Sequence, residues 1–410
     1  MPLTRPPYWL GAIPACHSLA EVAPAIAHFG TDHQVTSIEL KADQPFAQDP
    51  AVSFTLPARF YTSPALYEHE KRAIFEPAWF YVGHRSQLRV AGAYLTATVF
   101  DQEVFVTRDE SGALNGFYNV CKHRGHELVQ GTGTAKKFTC PYHAWVYSLD
   151  GSLRHARNTS EMKAFDACDF SLTSVRVEEM CGLVFVNLDH DAEPLAVQAD
   201  GLEAEMRYYC PDIDSIEFAQ RDTFEVACNW KTLIDNFLEC YHCATAHRDF
   251  VDLVDMDSYT TTVSDIYSSQ VSQAPRTTES SAYVFTPGSV DFGFASWFLW
   301  PNLTIWIYPG DTNMSVLQML PSGPERSVEY QDWFCLGGTP TPQLQEAMDY
   351  QKDVLQPEDI GLCESVQKGL RSNGYNQGRF VIDDSFSELS EHAVHHFQTM
   401  VAAAHGHPVQ

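Results

Sequence analysis

The sequence predicts an α+β chain of two differently built domains in tandem, on three observations. From about 85 to 190 the text consists of short β-rich runs between turn residues, such as 94–100, 104–106 and 183–186. After about 200 it alternates helix and strand. The segment 229–243 carries no Pro or Gly and places apolar residues at 230, 233, 234, 237, 238 and 241, a helical period. The expected division is an N-terminal extension over 1–55, a β-rich domain with a preceding helix over 56–195, and a second, mixed helix–strand domain over 196–410.

The chain's 410 residues suffice for two domains with substantial cores, and 44% hydrophobic with 19% charged residues fits a globular protein. Twenty-six basic against fifty-three acidic residues give a net charge of −27, which argues against nucleic acid or an anionic membrane as partner. No run of eighteen apolar residues occurs, and the start lacks the apolar stretch of a secretory signal. The eleven Cys form no disulfide-like framework, so a reducing cytoplasm is the expected setting.

Residues 1–55 carry no identifiable chemistry; their Pro-rich start is either a tail or a segment packed on a neighbour. Ser63-Pro64 reads as a helix start, with the helix running through Phe75. Among the strands that follow lie Cys121-Lys122-His123 and Cys140-Pro141-Tyr142-His143, a C-x-H and a C-x2-H separated by sixteen residues. Two thiolates and two imidazoles are the ligands of a Rieske [2Fe–2S] cluster, Cys on one iron and His on the other. A zinc site uses the same residue types, but zinc fingers keep like ligands together, whereas each loop here contributes one Cys and one His.

Further along, Asp235, Glu239 and His242 fall at i, i+4 and i+7 of the predicted helix, on one face. His242 and His247 form H-x4-H, which brings both imidazoles near one point if the helix loosens after Cys243. Two His and one carboxylate on one side of an iron leave positions open for O2 and substrate. Pro357, Glu358 and Asp359 have the look of a first helical turn, where carboxylates are favoured by the dipole.

The runs 121–126 and 140–151 resemble the catalytic α subunits of Rieske non-haem iron oxygenases, with Ala144 standing where that family usually has Gly. Trp79 to His84 resembles the family's entry to the Rieske domain, and 356–370 its C-terminal ligand helix. The resemblance, over about 56–400, implies a Rieske β-sandwich followed by an antiparallel sheet covered by helices, of helix-grip type. It implies a [2Fe–2S] cluster on Cys121, His123, Cys140 and His143, and a mononuclear Fe(II) on His242, His247 and Asp359, with Glu358 the alternative to Asp359. Glu239 is implied to bridge a Rieske His of the neighbouring subunit to the iron, with Asp235 beside it. A homotrimer is implied, and NAD(P)H acts only through a separate flavin/iron–sulfur reductase, since no dinucleotide or flavin motif is visible.

The version Glu239-Cys240-Tyr241-His242-Cys243 resembles the branch acting on quaternary ammonium compounds such as betaines and carnitine. The expected reaction is therefore O2-dependent hydroxylation of an N-methyl group, ending in N-demethylation of a betaine-type substrate. Ring hydroxylation or aryl-ether O-demethylation is the alternative enzyme reading, and a Rieske electron carrier or redox sensor the alternative of another class. An ammonium without N–H groups is held by aromatic faces. The segment 292–308 holds Phe292, Phe294, Trp297, Phe298, Trp300, Trp306 and Tyr308, which form either a cation cage, with Trp297, Trp300, Trp306 and Tyr308 as the substrate candidates, or the apolar face of a sheet. Residues 258–281, dense in Ser and Thr without an apolar period, read as a loop or weak hairpin and a candidate lid. The His-rich stretch 391–397 has helical period and reads as packing, with His405 and His407 in a frayed tail.

Overall fold

Two antiparallel sheets of seven strands organise the chain in a computed structural model that describes residues 43–273, 280–286 and 293–410. In the first sheet, Phe80–His84, Leu183–Asn187, Ser174–Met180, Leu114–Tyr118, Gln102–Arg108, Ala93–Val99 and Thr132–Thr134 lie side by side in that order. A three-stranded sheet of Phe138–Thr139, Val146–Tyr147 and Leu153–His155 faces it. The rings of Phe105, Phe117, Phe138 and Tyr147 fill the space between the two, with Phe105 and Phe138 edge to face at 4.8 Å. This is the expected β-sandwich.

The second large sheet runs Ile216–Val226, Arg326–Leu336, Asn313–Gly323, Leu303–Ile307, Phe294–Leu299, Tyr267–Ser272 and Thr260–Val263. The helix Trp230–Phe237 and the C-terminal helix His392–Ala404 pack together, with Trp230 wedged between Phe75 and Phe397. Lys231 and Glu70 form an ion pair with both side chains fully buried, and the Trp230 indole donates to the second Glu70 oxygen at 2.8 Å. Glu70 lies on the helix that begins at Pro64, capped by Ser63, so the pair ties the Trp230–Phe237 helix to the segment preceding the first sheet.

Several expectations change. The predicted continuous helix over 229–243 is two helices, Trp230–Phe237 and Cys243–Ala246, with a non-helical link. Glu239 accepts a hydrogen bond from the His242 backbone N–H at 3.1 Å, a capping contact that starts a new turn instead of extending the old helix. Within that link Cys240 and Cys243 are joined by a disulfide, which the absence of a disulfide-like pattern in the sequence did not anticipate. Glu358 and Asp359 do lie in the first turn of Gln356–Leu370, but that helix has no free start. Pro342–Tyr350 continues through a π turn, Gln351–Leu355, into Gln356–Leu370, and the wider turn relieves the clash that Pro357 would cause in a regular helix.

The Ser- and Thr-rich stretch takes the hairpin form of the two expected, Thr260–Val263 with Tyr267–Ser272 at the sheet edge; residues 274–279 lie outside the described part. Its polar side chains pair with one another, as Thr262 does with Ser269 at 2.5 Å, so no apolar period was needed to bury them. His405 is not in a frayed tail either. Its side chain is almost fully buried beside Glu70, and Gln410 N–H donates to the Phe46 carbonyl at 2.9 Å, which ties the C-terminus to residues 43–55. Residues 1–42 of the expected extension lie outside the described part. Among the described residues no helix is long and apolar enough to cross a membrane.

The two Cys–His loops share one backbone design. Gly125 N–H donates to the Cys121 carbonyl and Ala144 N–H to the Cys140 carbonyl, both at 3.0 Å, while each Cys N–H donates five residues ahead, to His126 and Trp145, at 2.8 Å. Closing these turns requires the left-handed region at the fourth residue after each Cys. Gly125 adopts φ +70° and Ala144 φ +58°. An L-residue pays about 1 kcal/mol for that conformation. Ala144→Gly is therefore expected to stabilise the protein by about 1 kcal/mol, raising the thermal midpoint by about one degree with the visible spectrum unchanged, as thermal unfolding followed by circular dichroism will show.

Candidate metal centres and substrate cavity

At the sandwich tip the two ligand loops place sulfur inside and imidazole outside. Cys121 and Cys140 are buried, whereas His123 is exposed and His143 half-exposed, their rings 4.5 Å apart. Trp145 stacks on His123 at 4.9 Å and limits its rotation. The Tyr147 hydroxyl accepts from Lys122 N–H at 3.0 Å and lies 3.3 Å from Cys121 Sγ, to which it can donate. His143 Nδ1 is a buried nitrogen without a hydrogen-bond partner. Two buried thiols and an imidazole nitrogen left unsatisfied by protein fit the ligand set of a [2Fe–2S] cluster.

The second centre forms where the link after Trp230–Phe237 meets the Gln356–Leu370 helix. His242, His247 and Asp359 bring one ligand atom each to within 4.8 Å of one another. His242 Nε2 and His247 Nε2 are 3.1 Å apart, and Asp359 Oδ1 lies 2.9 Å from the latter and 3.5 Å from the former. Both imidazoles turn Nε2 inward and offer Nδ1 to a carboxylate behind: His242 to Glu239 at 2.6 Å, His247 to Glu358 at 2.8 Å. This carboxylate–histidine arrangement fixes ring orientation and leaves Nε2 as the ligand atom. Geometry thus separates the two acids that sequence left as alternatives: Asp359 joins the triad and Glu358 supports it from outside.

Electrostatics follow from this crowding. Burial works against a charged His242, but hydrogen bonds with Asp359 and Glu239 outweigh it and raise its pKa to about 10; against its own burial, Asp359 is held at about 2 by its hydrogen bonds with His242 and His247. Surroundings that favour an imidazolium favour a metal dication in the same place.

Beside the triad lies a cavity walled by Phe237, Phe250, Tyr259, Phe294 and Trp306, with Leu317, Met319, Gln270 and Glu329 also in the lining. Of the four substrate candidates, only Trp306 lines it. Tyr308 stands behind Trp306, stacked at 5.7 Å, with its hydroxyl donating to Gln351 at 2.6 Å. Trp297 is turned to the opposite face, where its indole donates to Glu205 at 2.8 Å, and Trp300 packs against Phe397. Strand alternation explains the correction: Phe294 and Ser296 face the cavity, so Trp297 cannot. Phe292 lies outside the described residues. Phe237, Phe250 and Tyr259 were missed because they come from other elements; only the helical period at Phe237 hinted at an inward position.

Asp235 does not reach the aromatic cavity, because the helix ends at Phe237; with Glu239 and His242 it lines a separate recess. Its carboxylate accepts from the Tyr61 hydroxyl at 2.6 Å and from Gln398 at 3.2 Å, and burial raises its pKa to about 7. It anchors the helix and is no part of the triad.

A β-sandwich with paired Cys–His loops, joined to a helix-covered sheet with two His and an Asp in one pocket, defines a Rieske oxygenase. The chain matches the Rieske [2Fe-2S] domain over residues 78–166 and the ring hydroxylating alpha subunit catalytic domain over 213–406. It belongs to the Rieske non-haem iron oxygenase α subunits, in the branch of quaternary ammonium oxygenases, and is an oxidoreductase that carries a Rieske cluster and a mononuclear iron. It is 39% identical to the carnitine monooxygenase oxygenase subunit of Escherichia coli K12 over 359 residues, 87% of this chain and 95% of that one. Chloroplastic choline monooxygenase of Beta vulgaris is 31% identical over 85% of this chain and 76% of its own length. A solved quaternary ammonium Rieske monooxygenase in complex with L-carnitine superimposes with a TM-score of 0.79 at 36% identity, covering 87% of this chain and 97% of that one.

The outer carboxylates give a direct test of the mononuclear centre. Glu358→Ala frees His247 to rotate and is expected to weaken iron binding by about 10-fold or more, with the Rieske absorption unchanged. Chelator competition on the purified protein reads the affinity, and an unchanged value would remove Glu358 from the site.

Proposed function

We propose that this chain is the oxygenase component of a two-component system that hydroxylates a carbon attached to the nitrogen of a small quaternary ammonium compound, with N-demethylation the expected outcome. The observation carrying this reading is the cavity at the triad: five aromatic walls, the acids Glu239, Glu329 and Asp359, and no Lys or Arg among the described residues of the lining. Aromatic faces bind a cation that has no N–H to donate, and surplus negative charge favours it further. A neutral arene gains nothing from those acids, and an electron carrier has no use for a cavity at a second metal centre.

In this reading Cys121, His123, Cys140 and His143 hold the cluster within residues 56–195, and His242, His247 and Asp359 hold the iron within 196–410. When bound, the cluster supplies single electrons and the iron activates O2 for insertion into a C–H bond. Glu239 and Glu358 keep the Nδ1 protons of the two His in place, and the aromatic walls keep bulk water away and the ammonium oriented. The net change consumes C–H, O2, two electrons and two protons and yields C–OH and water. The hydroxylated carbon then loses its C–N bond: the O–H proton leaves, a carbonyl forms, and nitrogen departs as a neutral amine with the bonding pair. From an N-methyl group the carbonyl product is formaldehyde.

Electrons reach the cluster from NAD(P)H through a separate flavin/iron–sulfur reductase in the cytoplasm, and the working unit is a homotrimer. Two surface features support contact between subunits. His143 sits beside the exposed ring of Tyr142, and a recess behind His242 is lined by Glu239, Asp235, Leu362, Val366 and Tyr375. A relative's structure is described as giving insight into inter-subunit electron transfer. Docking His143 of one subunit in the recess of the next would let Glu239, already bound to His242, join the two centres.

Two measurements decide. With a surrogate reductase, a panel of betaines, carnitine and aromatic acids is expected to show O2 uptake and aldehyde release with the quaternary ammonium compounds; turnover confined to aromatic acids would sink the substrate reading. Glu239→Gln is expected to keep the Rieske spectrum and most of the iron but slow reoxidation of the reduced cluster by O2 with substrate present, with Asp partly restoring it. Reoxidation at the normal rate would exclude Glu239 from the electron path.

A further inference from the structure

Four carboxylates are fully buried or nearly so among the described residues: Glu70, Asp222, Glu329 and Asp332. Three have a basic partner. Glu70 pairs with Lys231, Asp222 with Lys352 at 2.7 Å and Asp332 with Arg221 at 2.5 Å. For Glu329, which is 1% exposed, the structure gives one hydrogen bond, donated by the neutral amide of Gln356 at 2.6 Å, and no ion pair among the described residues.

A buried carboxyl without a counter-charge is costly, so its surroundings need a reason. Glu329 lies in the first half of the strand Arg326–Leu336, opposite Met319 in register, and both line the cavity at the triad. Gln356, its partner, stands one helical turn before Asp359. Supporting Gln356 would need only a neutral acceptor, for which a glutamine suffices. Burial, and next the negative charge of Asp359, push the Glu329 carboxyl up to about 8 despite the Gln356 bond, as expected for a buried acid with no positive partner, and a cation beside it would bring the value down and hold the carboxylate ionised.

We propose that Glu329 is the counter-charge for the substrate's ammonium, a specificity-determining residue that makes the cavity prefer a cation over a neutral molecule of the same shape. The assignment deepens the quaternary ammonium reading and rests on it. An ammonium held between Glu329 and the aromatic walls presents the carbons attached to nitrogen, rather than the far end of the molecule, to His242, His247 and Asp359. Phe294 and Trp306 supply shape and cation–π attraction; Glu329 supplies net charge.

The test uses the iron-loaded holoenzyme and two matched pairs: choline and γ-butyrobetaine, each with the tert-butyl analogue in which carbon replaces nitrogen. Binding is read by competition against turnover of whichever quaternary ammonium compound proves the best substrate, with iron content and Rieske absorption measured alongside. In the wild type at least one cation is expected to bind about ten-fold tighter than its carbon analogue. In Glu329→Gln, which keeps an acceptor for Gln356, that ratio is expected to fall by about ten-fold through weaker cation binding, with the carbon analogue and iron content nearly unchanged.

An unchanged ratio in Glu329→Gln overturns the assignment while leaving the substrate reading intact, whereas a wild type with no preference for either cation overturns both. If Glu329→Gln loses iron, Glu329→Asp decides, because it keeps the charge and withdraws from Gln356. A ratio near the wild-type value supports the counter-charge. Loss of iron with equal loss of affinity for both members of a pair assigns Glu329 to positioning alone and overturns the proposal.

Discussion

Everything at the mononuclear centre depends on bringing two imidazoles and a carboxylate closer together than they would sit without help. Ligand atoms of His242, His247 and Asp359 meet within 4.8 Å, and each imidazole is pressed inward by an acid at its back, Glu239 or Glu358. Three carboxylates around two histidines is an excess of negative charge in a half-buried place. That excess makes a cation welcome twice over, as a metal among the Nε2 atoms and as an ammonium in the cavity beside them.

The two centres solve opposite problems. At the cluster, sulfur is hidden and imidazole shown, so charge can leave through the protein surface. At the iron, His247 is buried and the cavity is walled with rings, so a reactive site is kept from bulk water. The buried Lys231–Glu70 pair binds the helix leading to the iron to the segment leading to the cluster sandwich. One rigid joint thus serves both.

Local chemistry was legible in the sequence where ligands are close neighbours along the chain. The C-x-H and C-x2-H loops and the pair His242 and His247 can be read from spacing, because a short loop leaves few ways to arrange them. Glu358 and Asp359 were found through resemblance, but which of the two faces the metal depends on the phase of a helix with a π turn in it, which spacing does not reveal. The helix predicted through 243 failed because the apolar period is blind to side-chain competition for the backbone: the Glu239 carboxylate accepts from the His242 N–H, which a continuous helix would have donated to the Leu238 carbonyl. The cavity was half visible. Trp306 came from a run of aromatics, but Phe237, Phe250 and Tyr259 are brought in by tertiary packing, and Trp297 was lost to strand alternation.

The π turn at Gln351–Leu355 has a consequence for how the helix tolerates change. A π turn holds one residue more than the regular helix, and each residue of a regular helix advances about 100° around the axis. Gln351 on its near side faces the cavity and so does Asp359 beyond it, so the wider turn takes up the extra residue while the two parts of one rod stay in phase. Deleting a single residue there would leave a regular turn of almost the same length with Asp359 facing nearly as before, whereas deleting one from the regular helix between the π turn and Asp359 would rotate Asp359 by about 100° away from the histidines. The metal site is therefore tuned to an angle rather than a distance, and a length change that a surface loop would absorb would here silence the centre without unfolding the protein.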